Sequence, residues 1–245
     1  MWEYILLGAL QGIFEWVPIS SEGVLTLFSS FIVTDISSID FSLFLHLGTM
    51  LAIIIYFRKD WIDLILLRDK KLLRFFVIAS IISLGLGFII YKTMGDISIG
   101  SGLLFLMGIG LLLTSWFQRK NIKLKISDDF SSVIVGLLQG IAVIPGVSRS
   151  GATIFGLSLK ENDPSEILKK SYLISLPAVV ASSGYIFISN PVISSFPWIA
   201  LLSSFIFGII SLKIILDFSK KVNFSTLTMV FGLLCLVGGL IEVWM

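Results

Sequence analysis

Charged residues, cysteine and histidine are all scarce in this 245-residue sequence. Only 14% of the residues are charged, well below the roughly 25% of soluble domains, so a soluble enzyme is excluded. The single cysteine, Cys235, excludes an internal disulfide and a cysteine-rich metal site. A net charge of +2 lacks the basic excess of a nucleic-acid-binding protein.

Hydrophobic residues, by contrast, are abundant. They make up 56% of the chain, which has a mean hydropathy of +1.00. This composition excludes a disordered chain and indicates an integral membrane protein. Glu3 stands where a cleaved signal peptide has basic residues, so we expect the first hydrophobic stretch to belong to the mature fold.

Six hydrophobic stretches approach the length of about 20 residues that a helix needs to cross the roughly 30 Å core of a bilayer. They are apolar on every face and lie at 41–57, 72–92, 98–117, 171–189, 196–216 and 224–244. Two more apolar regions, 4–33 and 133–159, are interrupted by glycine, proline, serine and charge. Such backbone is tolerated at membrane depth only where it lines a cavity. We therefore predict an all-α integral membrane fold of six transmembrane helices plus two re-entrant helical hairpins.

The basic residues indicate the orientation of the chain. With both interrupted regions treated as re-entrant, four loops share one side of the membrane and hold 16 of the 18 basic residues. These loops are 58–74, 118–132, 158–170 and 213–223. Cytoplasmic loops carry the excess of lysine and arginine. The sequence thus predicts a multi-pass plasma-membrane protein with these loops inside and both termini outside.

The two interrupted regions resemble each other at an offset of 128 residues. Residues 8–13 match 136–141, and the match includes the polar pair Gln11 and Gln139. Each half then holds one hairpin and three spans, so the second half is inserted upside down. The predicted single membrane domain, 1–245, consists of inverted repeats 1–117 and 132–245 joined by a basic cytoplasmic loop at 118–131. Inverted repeats place their binding site where the broken helices meet.

The first interrupted region carries an ionisable residue within an apolar stretch. Gln11 and Glu15 are four residues apart, so they share one face of a helix that Pro18 then ends. Ser20 and Ser21 follow in the turn. An ionisable side chain at this depth is costly and is by default functional, so we interpret Glu15 as part of a site.

The second interrupted region carries an arginine among hydroxyl groups. Arg149 lies between Ser148 and Ser150, with Thr153 one turn further on, at the predicted start of a new helix. Backbone N–H groups at a helix N-terminus, a glycine-rich turn and an arginine fork together favour a phosphate-type anion. The alternative is that Arg149 only neutralises Glu15.

The only histidine, His46, lies early in the first full span. A lone histidine in an apolar helix is more often a hydrogen-bonded packing residue than a catalytic base. We interpret His46 as a packing residue.

At these residues the chain resembles the undecaprenyl-diphosphate phosphatase family of the bacitracin-resistance type. The resemblance covers nearly the whole length and rests on Glu-Trp-Val-Pro-Ile-Ser-Ser at 15–21, His-Leu-Gly-Thr at 46–49 and Pro-Gly-Val-Ser-Arg-Ser-Gly-Ala-Thr at 145–153. It implies six spans and two re-entrant hairpins in inverted repeats. It also implies hydrolysis of the terminal phosphate of a polyprenyl diphosphate lipid, which recycles the lipid carrier, with a divalent cation, Mg²⁺ or Ca²⁺, as cofactor. Membrane lipids are the expected surroundings, and a homodimer is left open.

The resemblance also implies roles for individual residues. Ser21 matches the serine nucleophile, Arg149 the diphosphate-binding arginine, and Glu15 the second glutamate of the first family motif. The other candidates for substrate contact are Gln11, Ser20, Glu22, Ser148, Ser150 and Thr153.

The chain departs from the family pattern around the first motif. Gln11 stands where bacterial members typically have the first glutamate, and Val24 stands where they typically have a histidine that could serve as base. A carboxylate must then accept the proton from Ser21 or from a water. Glu15 is a better candidate than Glu22, because it matches a family carboxylate and shares a helical face with Gln11. Either carboxylate could instead hold the metal ion.

Two other classes of protein are compatible with this pattern. Inverted repeats with broken helices are also a transporter architecture, so a lipid-carrier transporter or flippase is the main alternative to a phosphatase. A non-catalytic protein that binds polyprenyl phosphate is the third.

Overall fold

The computed structural model describes residues 1–22, 24–25, 28, 38–93, 100–119, 125–144, 147–189 and 196–244. Over these ranges the chain is helical, without strands, which confirms the predicted all-α class. The helices are α1 (Trp2–Phe14), α2 (Ser38–Tyr56), α3 (Arg58–Ile65), α4 (Lys70–Thr93), α5 (Gly100–Arg119), α6 (Asp128–Ile141), α7 (Arg149–Ser158), α8 (Pro164–Ser189), α9 (Trp198–Ser219) and α10 (Phe224–Trp244). Ser21, Glu22, Val24 and Leu25 also have helical backbone.

The length and composition of several helices fit a membrane. Among the described residues, α4, α9 and the Phe224–Ile241 part of α10 are each long and apolar enough to cross a bilayer. Helices α2 and α3 reach that length together, with a bend of 74° between them. The chain is therefore an integral membrane protein, and the described part of each of the six predicted stretches lies mostly on a helix.

Helix boundaries differ from the predicted ones in two places. Residues 58–65, predicted as part of a loop, form α3, which buries Leu64 and packs Trp61 edge-on against Phe76. Helix α6 begins at Asp128, ahead of the predicted repeat boundary at 132. Ser127 caps it by accepting the Phe130 N–H at 3.2 Å.

Both interrupted regions contain the predicted break. Helix α1 ends at Phe14, a turn follows, and helical backbone resumes at Ser21. Helix α6 ends at Ile141, and α7 begins at Arg149 after its cap Ser148, whose Oγ accepts the Gly151 N–H at 3.1 Å. Parts of the predicted segments lie outside the described residues, namely 23, 26–27, 29–33, 98–99, 120–124 and 145–146.

Glycines let the first helix of each interrupted region approach another helix closely. Helix α1 packs on α9, and a Cβ added at Gly12 would lie 2.6 Å from the Gly208 nitrogen and the Ser204 oxygen. Helix α6 packs on α4, where a Cβ at Gly136 would lie 2.8 Å from the Ala79 oxygen. Small residues at helix contacts allow this spacing in membranes. The packing holds the ends of α1 and α6 inside the bundle.

Ion pairs join the charged ends of several helices. Lys71 and Arg74 at the start of α4 pair with Asp128 and Asp129 at the start of α6, at 3.4 and 2.5 Å. Lys160, just after α7, also pairs with Asp128. The start of α6, the start of α4 and the end of α7 are therefore neighbours.

Candidate active site

Glu15 lies at the end of α1 and is the centre of the site. Its side chain is only 2% exposed. Gln11 Nε2 donates to Glu15 Oε2 at 2.8 Å, because the two residues are one helical turn apart. After the turn at Pro18, Ser21 Oγ donates to the same oxygen at 3.1 Å. The expected shared face of Gln11 and Glu15 is confirmed, and a hydroxyl group lies against the carboxylate.

Arg149 reaches the same carboxylate from the second interrupted region. Its Nη2 donates to Glu15 Oε1, across 134 residues of sequence. The structure thus brings together Glu15, Ser21 and Arg149, the three residues predicted as catalytic. The contact also links the two halves of the chain. Removing one partner of a buried ion pair leaves an uncompensated charge and lowers the free energy of unfolding by about 3–5 kcal/mol.

Serine hydroxyls line the junction between the two turns. Ser150 Oγ donates to Val17 O at 2.9 Å and lies 3.1 Å from Ser148 Oγ, so the start of α7 is fastened to the turn after α1. Ser20 is buried in that turn, and Glu22 is half-buried just after it. These predicted residues all lie near the carboxylate or in the turns that carry it.

Thr153 is the predicted site residue that the structure directs elsewhere. It is fully buried, its Oγ1 donates to the Arg149 carbonyl at 3.0 Å, and it lies 2.5 Å from Ser171 Oγ on α8. Thr153 therefore holds α7 against α8.

The turn after α1 is fixed by two aromatic residues that the sequence analysis did not single out. Trp16 Nε1 donates to Gly208 O on α9 at 2.9 Å. Tyr172 OH on α8 donates to Trp16 O at 2.9 Å, and the two rings meet edge-to-face with centroids 5.3 Å apart. Both side chains are almost completely buried. Two helices therefore hold the backbone next to Glu15.

His46, which the sequence analysis interpreted as a packing residue, contacts the carboxylate at the centre of the site. Its Nδ1 lies 2.7 Å from Ser42 O, and its Nε2 lies 3.2 Å from Glu15 Oε2. Since a carbonyl oxygen only accepts, Nδ1 carries a proton. A second proton on the ring, at Nε2, would make this contact an ion pair between an imidazolium and the carboxylate. A titratable side chain inside an apolar span was the available signal.

The arrangement contains the parts of a phosphoryl-transfer site. A buried carboxylate accepts from a serine hydroxyl and can take its proton. A guanidinium next to the N-terminus of α7 can bind phosphate oxygens. The fold and the site define a helical membrane protein with a serine, carboxylate and arginine centre between two broken helices.

Comparison with known proteins assigns the family. Residues 4–241 match the family model described as "Bacitracin resistance protein BacA", and the chain belongs to this family. It is 36% identical over 262 residues to an undecaprenyl-diphosphatase of Haloarcula marismortui, covering 97% of this chain and 96% of that protein. Undecaprenyl-diphosphatases of Methanothrix thermoacetophila and Methanococcoides burtonii are each 33% identical, covering 95% of this chain and 94% and 96% of theirs.

Proposed function

We propose that this protein hydrolyses an undecaprenyl-type polyprenyl diphosphate to the monophosphate and inorganic phosphate, which recycles the lipid carrier for envelope glycan synthesis. The observation that carries the proposal is the contact of one buried carboxylate, Glu15, with both a serine hydroxyl and an arginine. The diphosphatase names of the full-length relatives support the same reaction.

Ser21 is the nucleophile in this proposal. Its Oγ attacks the terminal phosphorus, and its proton passes to Glu15 Oε2, which already accepts that hydrogen bond. The bond from the terminal phosphorus to the bridging oxygen breaks, and the lipid leaves as the monophosphate. A water oxygen then attacks the phosphorus of the phosphoserine, the bond from phosphorus to Ser21 Oγ breaks, and phosphate leaves with both hydrogens of the water while Glu15 returns its proton to Ser21 Oγ. Glu15 is regenerated as the carboxylate.

Arg149 has a different partner before and after substrate binds. Without substrate, its guanidinium is paired with Glu15. A diphosphate carries more negative charge than one carboxylate and offers oxygens in the geometry of the guanidinium fork. Transfer of Arg149 to the diphosphate leaves Glu15 a stronger base at the moment when Ser21 must be deprotonated. The charge on the reacting phosphate is stabilised at the same time.

A divalent cation, Mg²⁺ or Ca²⁺, would supply neutralisation of the phosphate charge when bound. The described residues contain no group of three or more His, Cys, Asp or Glu side chains that could hold a metal ion. They do contain Gln11 Oε1, a buried oxygen with no hydrogen-bond partner among them. Mg²⁺ is often held by one or two protein oxygens plus substrate phosphates; Gln11 Oε1 fits that pattern, and the Glu22 carboxylate is the second oxygen that the sequence offers. Glu15 is better placed as the base, because four side chains already contact it.

The membrane architecture is proposed as six spans and two re-entrant hairpins in inverted repeats, with both termini outside. The reciprocal packing of α1 on α9 and α6 on α4 supports the repeat, since each pair joins the first helix of one half to the second span of the other. The pairing of Lys160 with Asp128 supports re-entrance, because it brings the end of α7 back to the start of α6.

Phosphate release by the purified protein tests the proposed function. Polyprenyl diphosphate in detergent should yield inorganic phosphate and the lipid monophosphate in equal amounts. A protein that yields neither, yet moves the lipid across proteoliposome membranes, would be a transporter and would contradict the proposal.

A further inference from the structure

His46 contacts Glu15 from α2, which belongs to neither interrupted region. The ring is fastened at both nitrogens, with Nδ1 at 2.7 Å from Ser42 O on its own helix and Nε2 at 3.2 Å from Glu15 Oε2. Its side chain is 14% exposed, so water competes little for the contact. The contact with Ser42 O therefore fixes the orientation of the ring on α2, and the fixed ring in turn limits the positions that the Glu15 carboxylate can adopt.

The carboxylate needs this contact once substrate binds. Glu15 Oε1 is held by Arg149, and that contact is given up when the guanidinium turns to a phosphate. The other contacts are all on Oε2, which accepts from Gln11 and from the reacting Ser21 hydroxyl and lies 3.2 Å from His46 Nε2. Val24, the buried residue that follows on the same helical stretch as Ser21, has an apolar side chain that offers no hydrogen bond.

We propose that His46 is a positioning residue for the reaction, which holds Glu15 Oε2 against the Ser21 hydroxyl through its Nε2–H. The proposal rests on the proposed role of Glu15 as base. Small displacements of a reacting group lower the rate strongly, and His46 does not touch the substrate in this account. Its loss should therefore lower kcat and leave KM nearly unchanged.

Two substitutions separate the hydrogen bond from the volume of the side chain. His46→Leu fills the space but cannot donate, and its kcat should fall by about 10- to 100-fold, the size expected for a hydrogen bond to a charged group. His46→Gln places an amide N–H where Nε2 lies and should recover most of the parental kcat. Ser204→Ala is the matched control. It removes a buried 2.9 Å hydrogen bond to Leu45 O, beside His46, without touching Glu15, and should keep the parental kcat.

A double-mutant cycle tests whether His46 acts through Glu15. Adding His46→Leu to Glu15→Gln should cause little further loss, since the base that His46 positions is already gone. The proposal is overturned if His46→Leu keeps the parental kcat, if His46→Gln is as slow as His46→Leu, or if His46→Leu slows the Glu15→Gln protein as much as the parent. A parent protein that releases no phosphate would contradict the proposed function instead, so it is assayed first.

Discussion

Glu15 is a buried acidic residue in an apolar chain, and its carboxylate has many polar contacts. Four side chains from three parts of the sequence contact its carboxylate, namely Gln11, Ser21, His46 and Arg149. A charge in this position is costly unless it is paired and hydrogen-bonded. The surrounding donors offset the cost of burying the carboxylate, and one of them is the serine hydroxyl, so the same contacts serve stability and the proposed reaction.

Arg149→Ala should abolish phosphatase activity, with a loss of about 10³-fold or more, because the charge on the transferred phosphate is then unopposed. Arg149→Lys should recover little, since an ammonium cannot replace a two-pronged guanidinium. Phosphate release is measured beside size-exclusion profiles that report the folded state. Arg68→Ala, at a side chain that is 65% exposed, is the control and should be active. Near-parental turnover of the folded Arg149→Ala protein would show that the arginine is not required.

Glu15→Gln and Glu22→Gln separate the base from its neighbour. A general base contributes roughly 10²–10⁴-fold to the rate, so Glu15→Gln should lower turnover by about that factor. Glu22→Gln should lower it clearly less, because Ser21 donates to Glu15. Turnover of both variants is measured across Mg²⁺ concentrations.

Excess Mg²⁺ should rescue a variant that has lost a metal ligand, and it should leave a variant that has lost the base unchanged. Rescue of Glu15→Gln by metal would identify Glu15 as a ligand. Equal activity of both variants and the parent would remove both carboxylates from the role of base.

At the scale of helices, glycines set how closely the broken helices approach their neighbours. Gly12→Ala should lower the free energy of unfolding by about 1–3 kcal/mol, since the new methyl group meets the backbone of α9 and must push it away. Gly85→Ala on α4 meets nothing within 4 Å and should be neutral or slightly stabilising. Thermal unfolding in detergent measures both. Equal melting temperatures for the two variants would mean that α1 and α9 are not in close contact.

The sequence predicted where the helices break better than it predicted which side chains from different helices contact each other. Pro18 and the Ser148–Arg149 pair mark local backbone events, and the structure has a turn and a helix start at those places. The contact of His46 with Glu15 depends on how α2 packs beside α1, which no short sequence pattern records. The contact of Thr153 with Ser171 could not be predicted for the same reason, because it depends on how α7 packs beside α8.

At the scale of the whole molecule, charge distribution sets the predicted topology. The loops at 58–74 and 118–132 should be cytoplasmic and both termini outside. Cysteines placed at Thr93 and at Arg119 in a Cys235→Ser background test this with a membrane-impermeant thiol reagent. Thr93→Cys should react in intact cells, and Arg119→Cys only after the membrane is opened. Labelling of both from the same side would contradict the topology.

The fold class and most of the residues that meet at Glu15 could be predicted from sequence because each rests on a local or compositional signal. Low charge and high hydropathy indicate the membrane, and Glu15, Glu22 and Arg149 are the charges within its interrupted regions. The supporting contacts of Trp16 and Tyr172 could not be predicted. In a chain with 20 phenylalanines, the sequence does not distinguish an aromatic residue that fixes a turn by a hydrogen bond from one that only fills the core.

The most direct test of the central claim is the rate of phosphate release from polyprenyl diphosphate by the purified parent and Ser21→Ala proteins. The account predicts turnover by the parent and a loss of at least about 10³-fold for Ser21→Ala, because the nucleophile is absent while Glu15 and Arg149 remain. Parental turnover by a folded Ser21→Ala protein would contradict it, since the serine that Glu15 contacts would then take no part in the reaction.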